Sequence, residues 1–422
     1  MNQRDPQARE DRPTDPEPIS ADESRQNPSP GDGSEPMIRP PQLRTDEAER
    51  VASRLELFFD LAYVLVVSEL AASFAKDLSW HGAAVFAGLF TITWWSWVTT
   101  TLYANRFDTN DIVYRLAKLA NTGAVIAMAA SAQEAIGAKA VAFAIGYLLT
   151  RLLLVALYAR AYRHVTGARS TVGIYLTGTA AAATLWAASL AAPDNFRYAM
   201  WAAGILVEGV APLVATRRGG GVPLHLNHLP ERFGLFVILV LGESVASIVI
   251  GVHDTDWAQT SVLVAASGFI TVAALWWIYF DLGGAAGKRK LIDEGDDQEN
   301  SVADAYVYGH LPLMLGLVTV AVGIEQFILH PGDDLSTAGR WAMHGGTALF
   351  LIGTAAVITG TAGRWRAAWP WPIIAVPAVA MAGLANSLVP ALAMGLIAAI
   401  VVATVLAGIR EQRRGTLQTT EV

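Results

Sequence analysis

The chain has 422 residues, of which 53% are hydrophobic and only 16% are charged, and its mean hydropathy is +0.38. Soluble domains carry about 25% charged residues, so this composition favours an integral membrane protein. The sequence contains no cysteine, which excludes disulfides, thiolate metal sites, iron–sulfur clusters and cysteine nucleophiles. The formal net charge of −7 says little about partners, because much of the acid lies in the first 50 residues and in 293–299.

Residues 1–50 are rich in Pro, Asp, Glu, Arg and Ser and poor in aromatic and β-branched residues. Such a segment buries too little apolar surface to offset its ordering entropy, so we expect a disordered cytoplasmic tail. The first basic residues are not followed by the apolar stretch of a signal peptide. We therefore expect the first transmembrane helix to direct membrane insertion.

Twelve segments after this tail are long and apolar enough to cross a bilayer, which takes about 20 residues. Their length and the lack of period-2 alternation favour helices over a barrel. The predicted fold is an all-α, polytopic membrane bundle of about 12 transmembrane helices. The segments are 55–75, 82–103, 113–134, 140–160, 171–191, 198–216, 233–252, 258–281, 303–329, 341–362, 370–388 and 391–409.

The Lys and Arg residues between these segments predict the orientation of the chain. The connections proposed as cytoplasmic, together with the adjoining segment ends and the residues that flank the first and last segments, hold 20 of them, and the outside connections hold 4. Connections rich in Lys and Arg alternate with connections poor in them along the chain, as the positive-inside rule requires. Both termini are therefore predicted to be cytoplasmic.

Two stretches of the sequence echo each other and predict an internal duplication. Ser68-Glu69-Leu70-Ala71-Ala72-Ser73 resembles Gly242-Glu243-Ser244-Val245-Ala246-Ser247. We predict two parallel six-helix repeats, 51–216 and 231–410, joined by a connector, 217–230, and followed by a cytoplasmic tail, 411–422. Because six is even, a pseudo-two-fold axis along the membrane normal relates such halves. Further matches in the same order are Trp94-Trp95 with Trp276-Trp277, Phe107-Asp108 with Phe280-Asp281, Tyr114 with Tyr306, and Lys118 with His310.

Three ordered motifs resemble those of the bacterial low temperature requirement A family. They are Leu55-Glu56-Leu57-Phe58-Phe59-Asp60-Leu61, Tyr103-Ala104-Asn105-Arg106-Phe107-Asp108, and Glu231-Arg232-Phe233-Gly234-Leu235 continuing to Leu241-Gly242-Glu243-Ser244. The resemblance covers roughly residues 50–410. It implies a multi-pass protein of the bacterial inner membrane, and it brings no catalytic residues and no settled molecular activity with it.

Glu69 and Glu243 are the main candidate site residues. They lie about 15 and 12 residues into their segments, depths of roughly 18–22 Å at 1.5 Å per residue. Ionisable groups at such depth are costly unless they face the protein interior or water. We interpret the pair as protonatable or cation-binding groups on a translocation path. The alternative is that each is a protonated Glu that hydrogen-bonds a neighbouring helix.

A second candidate cluster lies at the cytoplasmic ends of the first two segments. Glu56 and Asp60 are four residues apart, on one helical face, and Arg106 and Asp108 are expected at the same depth. Glu231, beside Arg232, is the expected counterpart in the second half. This cluster is either a gate for entering ions or an interfacial salt-bridge network that fixes helix ends.

Several other residues have a structural interpretation by default. Arg151 and Glu208 lie inside apolar segments and are expected to form a structural pair if they meet. Glu134 and Glu325 are expected near the outer ends of their segments, within reach of water. No metal site is predicted, since His225 and His228 alone supply too few ligands. One stripe of small residues predicts close helix packing: Gly123, Ala127 and Ser131.

These observations favour a transporter or channel for protons or a small ion or solute. One alternative is a non-transporting scaffold or membrane-adaptation protein, and another is an intramembrane lipid-handling enzyme. No motif of an enzyme stands out, so we predict a protein that is not an enzyme and needs no cofactor. The expected partners are the lipid bilayer and a small ion or solute, without nucleic acid, and the oligomeric state is left open.

Overall fold

The structure, a computed structural model, describes residues 37–44, 53–108, 110–218, 229–284, 299–332, 335–362, 373–384 and 388–420. Most of the predicted N-terminal tail, most of the connector with His225 and His228, and the segment 285–298 lie outside the described residues. All descriptions below concern the compact unit Ile38–Val422.

Over the described residues, the chain folds into twelve α-helices with short 3-10 and π-helical turns and one two-stranded ribbon. The twelve predicted segments each overlap one of these helices. The elements are β1 (Gln42–Leu43), α1 (Arg54–Lys76), α2 (Trp80–Arg106), β2 (Phe107–Asp108), α3 (Ile112–Ala129), α4 (Ala140–His164), α5 (Arg169–Ser189), α6 (Asp194–Arg217), α7 (Leu229–Asp254), α8 (Gln259–Trp277), α9 (Glu299–Leu329), α10 (Thr337–Ala362), α11 (Ile374–Leu384) and α12 (Pro390–Thr420).

Within the described residues, nine helices are long and apolar enough to cross a membrane. The prediction of an all-α, multi-pass membrane protein is therefore confirmed, while the arrangement of twelve spans in two repeats stays a prediction. The helices outside this set are α2 and α5, which are less apolar, and α11, which is short. The nine are α1, α3, α4, α6, α7, α8 with the π-helical turn that follows it, α9, α10 and α12.

Helix α1 exposes apolar side chains and buries charged ones, which is the reverse of a helix on a soluble protein. Phe58, Leu61 and Leu65 are each at least half exposed, whereas Asp60 is 0% exposed. In a bilayer, apolar groups meet lipid without cost, and an ionisable group is tolerated only where protein or water surrounds it. The pattern therefore fits a helix with one face toward lipid.

Helix α3 ends at Ala129, five residues before the predicted end of its segment. Ser131 Oγ donates hydrogen bonds to the carbonyls of Ala127 and Met128, which satisfies acceptors of the last turn. A 3-10 turn, Ala132–Glu134, follows, and Gly137 adopts a φ of 155° before α4 begins. This backbone angle suits glycine, so the chain turns here.

The helix contacts form a similar pattern in both predicted halves. Helix α1 packs against α2 and α3, and α7 packs against α8 and α9. Helices α1 and α2 also contact α9, and α1 contacts α7. The first helices of the two predicted halves therefore meet directly.

Helices α9 and α10 approach closely because glycines face the partner backbone. A Cβ added at Gly316 would lie 2.5 Å from Phe350 N, and one at Gly353 would lie 2.4 Å from Leu313 N. Gly323 faces Met343 in the same way, at 2.6 Å. Small residues allow such close helix contact in membranes, where packing rather than apolar burial drives association.

Residues 38–44 form a strap across the connection between α2 and α3. Strand β1 pairs antiparallel with β2, and Arg44 Nη2 donates hydrogen bonds to the carbonyls of Ala104 (3.2 Å) and Phe107 (3.3 Å). Arg160 of α4 donates hydrogen bonds to both the Arg39 carbonyl and Asp111. The strap thus joins the ends of α2, α3 and α4.

Asp111 anchors this strap and caps the N-terminus of α3. Burial alone would raise the pKa of Asp111, but hydrogen bonds from Arg160 and from the backbone N–H groups of Tyr114 and Arg39 lower it below the ordinary 3.8. The ion pair between Arg160 Nη2 and Asp111 Oδ2 spans 2.6 Å. The carboxylate is therefore held in its charged form.

Candidate functional site

Glu69 of α1 and Glu243 of α7 lie next to each other where these helices pack. Ser68 Oγ donates a hydrogen bond of 3.3 Å to Glu243 Oε1, and Glu69 directly follows Ser68. The two carboxylates interact electrostatically, and both side chains are half-buried. The structure therefore brings together the two acids that the sequence placed at similar depth in matching segments.

A polar cavity of about 260 Å³ adjoins Glu69 near the ends of α1 and α3. Gln133 Nε2 donates a hydrogen bond of 2.5 Å to Glu69 Oε2, and Lys76 Nζ donates one of 2.6 Å to Gln133 Oε1. Glu134 and Lys139 also line the cavity, and both are exposed. Glu69 thus lies at the boundary between the helix contact and this polar cavity.

A third carboxylate approaches the pair from α9. Glu325 is half-buried and interacts electrostatically with Glu243 and with Asp254 at the end of α7. Carboxylates from α1, α7 and α9 therefore face one region.

Asp60 of α1 is fully buried and forms an ion pair with Arg232 of α7. Arg232 Nη2 lies 2.8 Å from Asp60 Oδ1, and Trp97 Nε1 of α2 donates to the same oxygen at 2.8 Å. The Trp97 ring also stacks on Phe236, with 4.4 Å between the ring centroids. These contacts join the first and third sequence motifs and connect the two predicted halves.

Lys118 of α3 belongs to the same buried cluster. Its Nζ lies 3.4 Å from the centroid of the Phe59 ring, and it interacts electrostatically with Glu56, Asp60 and Arg232. Among the described residues, Lys118 Nζ has no hydrogen-bond partner, and the same holds for Asp60 Oδ2 and for two nitrogens of Arg232. The cluster therefore holds two basic and two acidic side chains, and hydrogen-bonding capacity is unused at Lys118, Asp60 and Arg232.

Glu56 and Glu231 lie in the first turns of α1 and α7. Glu56 is buried and forms a capping box with Ser53: Ser53 N donates to Glu56 Oε2 at 2.8 Å, and Glu56 N donates to Ser53 Oγ at 3.2 Å. A capping box satisfies two N–H groups at a helix start, so Glu56 has a structural role. Glu231 is half-buried directly before Arg232.

Arg106 makes its contacts with α5 and α9. Its Nη2 donates a hydrogen bond of 2.9 Å to the Tyr175 hydroxyl, and its guanidinium lies 4.6 Å from the centroid of that ring. Asp304 of α9 interacts electrostatically with Arg106 and accepts a hydrogen bond of 2.9 Å from Thr216. Asp108 contributes its backbone to β2, opposite β1. The hydrogen-bond donors to Asp60, by contrast, come from α2 and α7.

Arg151 of α4 and Glu208 of α6 form the pair that the sequence suggested. Arg151 Nη1 lies 3.2 Å from Glu208 Oε1, and the Tyr147 hydroxyl donates to Glu208 Oε2 at 2.7 Å. Thr99 and Ser96 of α2 accept further hydrogen bonds from the guanidinium, and Thr150 accepts one from Nε. Every guanidinium nitrogen of Arg151 has a partner, so this network stabilises the packing of α2, α4 and α6.

The two predicted halves place a nitrogen base against an aromatic ring at matching positions. Lys118 Nζ lies over Phe59, and the His310 ring lies against Phe233, with 4.7 Å between the centroids. Phe59 and Phe233 each precede the acids Glu69 and Glu243 by ten residues. The matching base-on-ring contacts agree with the sequence similarity between the two predicted halves.

His310 is fully buried, and both of its ring nitrogens have partners. Nδ1 lies 2.7 Å from the Tyr306 carbonyl, which can only accept, so Nδ1 carries the hydrogen. Nε2 lies 2.9 Å from the Tyr279 hydroxyl, which can donate or accept. Both ring nitrogens of His310 are thus hydrogen-bonded, unlike Lys118 Nζ.

Within the described part of the chain, no three His, Asp or Glu side chains are grouped to hold a metal ion. The two histidines weighed as ligands from the sequence, His225 and His228, lie outside that part. The conspicuous polar features of the site are therefore the carboxylates of α1, α7 and α9 and the charge cluster around Asp60.

The sequence alone does not single out Trp97 or Ser53, and it marks Lys118 only through its place in the repeat. A signal for Lys118 was present, because a lysine in an apolar segment must face protein or water. The Ser53-x-x-Glu56 spacing is the pattern of a capping box. The partner of Asp60 lies 172 residues away, at Arg232, and local spacing does not predict it.

The comparison with known proteins identifies the family of the chain. The sequence profile of the bacterial low temperature requirement A protein matches residues 51–407. An uncharacterized protein of Rhizobium meliloti (strain 1021) is 30% identical over 329 residues, which cover 74% of this chain and 78% of the relative. No solved structure matches the chain. The chain therefore belongs to the family of the bacterial low temperature requirement A protein (LtrA).

Proposed function

We propose that this chain is a transporter or channel for protons or a small ion or solute, and that Glu69 and Glu243 lie on its path. The observation that carries the proposal is the meeting of these two half-buried carboxylates between α1 and α7, with Glu69 lining a polar cavity. Acids at this depth in a membrane bundle are retained where they meet water or a transported ion.

The contacts between the predicted halves support this proposal. In transporters built from repeats, substrate sites lie near the bilayer midplane at the contact between the repeats. Here α1 and α7, the first helices of the two halves, meet through Ser68 and Glu243 and through Asp60 and Arg232. A rocking motion of one half against the other would change both contacts.

We further propose that the protein lies in the bacterial inner membrane with both termini in the cytoplasm. The distribution of Lys and Arg supports this orientation. Glu69, Gln133 and Lys76 then lie on the outer side, and Asp60, Arg232 and Arg106 lie toward the cytoplasm. The two groups of charged residues would serve opposite ends of one path.

Flux through reconstituted vesicles tests the proposal. The purified full chain is placed in vesicles that contain a pH-sensitive dye, and proton uptake is followed after a potassium diffusion potential is imposed. Parallel measurements with sodium and potassium gradients test small cations. We expect flux in the wild type and its loss in Glu69→Gln and Glu243→Gln, since an amide keeps the shape but neither binds a proton nor balances a cation.

Glu411→Gln is the matched control, because Glu411 is exposed on α12 and loses the same charge. Each variant is first checked for an unchanged unfolding midpoint in detergent, so that loss of flux is separated from loss of folding. Wild-type flux in both Glu69→Gln and Glu243→Gln would remove the argument for transport and favour a scaffold function.

A further inference from the structure

Two buried charge networks in the described part of the chain differ in how completely their hydrogen-bonding atoms are paired. Around Arg151, each guanidinium nitrogen donates to an acceptor, and the pair with Glu208 is closed. Around Asp60, one carboxylate oxygen holds both Arg232 and Trp97, while the other, Oδ2, has no hydrogen-bond partner among the residues that the structure describes. A buried carboxylate oxygen without a donor is costly, so this network is incomplete as it stands.

Lys118 is the complementary incomplete group. Its Nζ is buried and has no hydrogen-bond acceptor in the described part of the chain, although it lies over the Phe59 ring, beside Asp60 in the sequence. A buried ammonium has three hydrogens to satisfy, and a ring face alone does not satisfy them. A neutral amine has one lone pair and two weakly polar hydrogens, so it costs less to bury without an acceptor than an ammonium does.

We propose that Lys118 is a proton-binding group and that its protonation ties α3 to the bridge between α1 and α7. A proton passes from hydronium to the Nζ lone pair, so that an N–H bond forms, a hydronium O–H bond breaks and water is released. The new ammonium then turns from the Phe59 ring and donates a hydrogen bond to Asp60 Oδ2. Asp60 is thereby held by Arg232 through one oxygen and by Lys118 through the other.

The surroundings of Lys118 favour this exchange. The charged groups that act on it are Glu56 and Asp60 of α1 and Arg232 of α7. Helix α4 also packs against α3, and within the described residues it contributes no charged group to this set. The flexible four-carbon stem of lysine allows its nitrogen to move between a ring face and a nearby carboxylate without moving the backbone.

The second predicted half supplies an internal comparison. His310 occupies the matching position against Phe233, but Tyr279 and the Tyr306 carbonyl satisfy both of its nitrogens. Lys118 Nζ, by contrast, has no hydrogen-bond partner among the described residues. The proton-linked change is therefore assigned to the first half, at Lys118.

Side-chain ¹⁵N NMR of lysine tests the proposal directly, because the chain contains only five lysines. The full chain with ¹⁵Nζ-labelled lysine is studied in detergent micelles between about pH 10 and about pH 5. Amine and ammonium nitrogens have different chemical shifts. Lys118→Met identifies the Lys118 signal by its absence, and Lys118→Arg serves the same purpose if the methionine variant does not fold.

We expect the Lys118 signal to change from the amine to the ammonium position within this pH range. Asp60→Asn should move the change to lower pH, because the ammonium then lacks its anionic acceptor. Arg115→Met, which removes an exposed charge from the same helix, should leave the change where it is. An ammonium signal at every pH, an amine signal at every pH, or a change that Asp60→Asn leaves in place would overturn the proposal. None of these readouts depends on flux, so they are independent of the transport proposal.

Discussion

Arg232 Nη2 and Asp60 Oδ1 lie 2.8 Å apart and join two motifs that are 172 residues apart in the chain. Both side chains are buried, so neither charge is screened by solvent. Removal of one partner from a buried ion pair leaves the other charge uncompensated, which typically costs about 3–5 kcal/mol. The contact between α1 and α7 therefore depends on this pair as well as on packing.

Asp60→Ala is expected to lower the free energy of unfolding by about 3–5 kcal/mol. The double variant Asp60→Ala, Arg232→Met should recover part of this loss, since it removes the stranded guanidinium. Unfolding in mixed detergent micelles, followed by circular dichroism, measures both values. Additive effects of the two single changes would show that the residues act independently.

Tyr147→Phe tests the closed network around Arg151. The Tyr147 hydroxyl donates to the Glu208 carboxylate at 2.7 Å, and a hydrogen bond to a charged group contributes about 1.5–3 kcal/mol. We expect a loss of that size in the free energy of unfolding. Tyr162→Phe is the control, because Tyr162 is exposed. The free energy of unfolding of this variant should stay within about 0.5 kcal/mol of the wild-type value.

Asp111→Asn tests the strap through its pH dependence. The pKa of Asp111 is below the ordinary 3.8, so its contribution to stability is fully present above 3.8 and is lost as pH falls through the folded value. The difference in unfolding midpoint between wild type and Asp111→Asn should thus be constant above about pH 5 and shrink below about pH 4. Unfolding midpoints of both proteins are measured from acid to neutral pH. A difference between them that grew on acidification would contradict a lowered pKa for Asp111.

Gly316→Leu is expected to disrupt the contact between α9 and α10. Backbone atoms of Phe350 and Gly346 lie within 2.6 Å of the position of an added Cβ, so the helices must separate. Overpacking of this kind costs about 1–3 kcal/mol or more. Gly395→Leu provides the control, because nothing lies within 4 Å of its added Cβ. Equal unfolding midpoints for the two variants would argue against the close approach.

The positions of the helices and some pairings could be predicted from the sequence. Apolar run length located a helix at each predicted segment, because the bilayer sets a minimum span. The cost of burying charge predicted a structural pair of Arg151 with Glu208 if the two meet, and it placed Glu69 and Glu243 on one shared path. Each acid or base in an apolar segment needs a partner, a cavity or water, and the apolar segments contain few candidate partners.

Helix packing could not be predicted in the same way. The stripe that begins with Gly123 was expected to pack closely, but Gly123 is exposed and an added Cβ there would meet nothing within 4 Å, so the prediction was wrong at this residue. In lipid, apolarity does not separate a packed face from a lipid-facing one. The glycines of α9 recur every seven residues, at Gly309, Gly316 and Gly323, and that regular spacing was the better signal.

The partner of Asp60 was also beyond sequence reasoning. Equal depth in the membrane suggested Arg106, since the ends of α1 and α2 lie near each other. Depth along a helix does not fix the direction in which a side chain points. Arg106 bonds to Tyr175 of α5, while Arg232 reaches Asp60 from α7.

The strap formed by residues 38–44 has a consequence for where the chain can be shortened. The part that matches the family begins at residue 51, yet Arg44 supplies donors to the Ala104 and Phe107 carbonyls, and β1 is the pairing strand of β2. A chain trimmed to the family boundary would leave the last turn of α2 with unmatched acceptors and Arg160 without the Arg39 carbonyl. We expect such a protein to insert normally but to fray where α2 turns into α3, so expression of the family region alone would underestimate the stability of the natural chain.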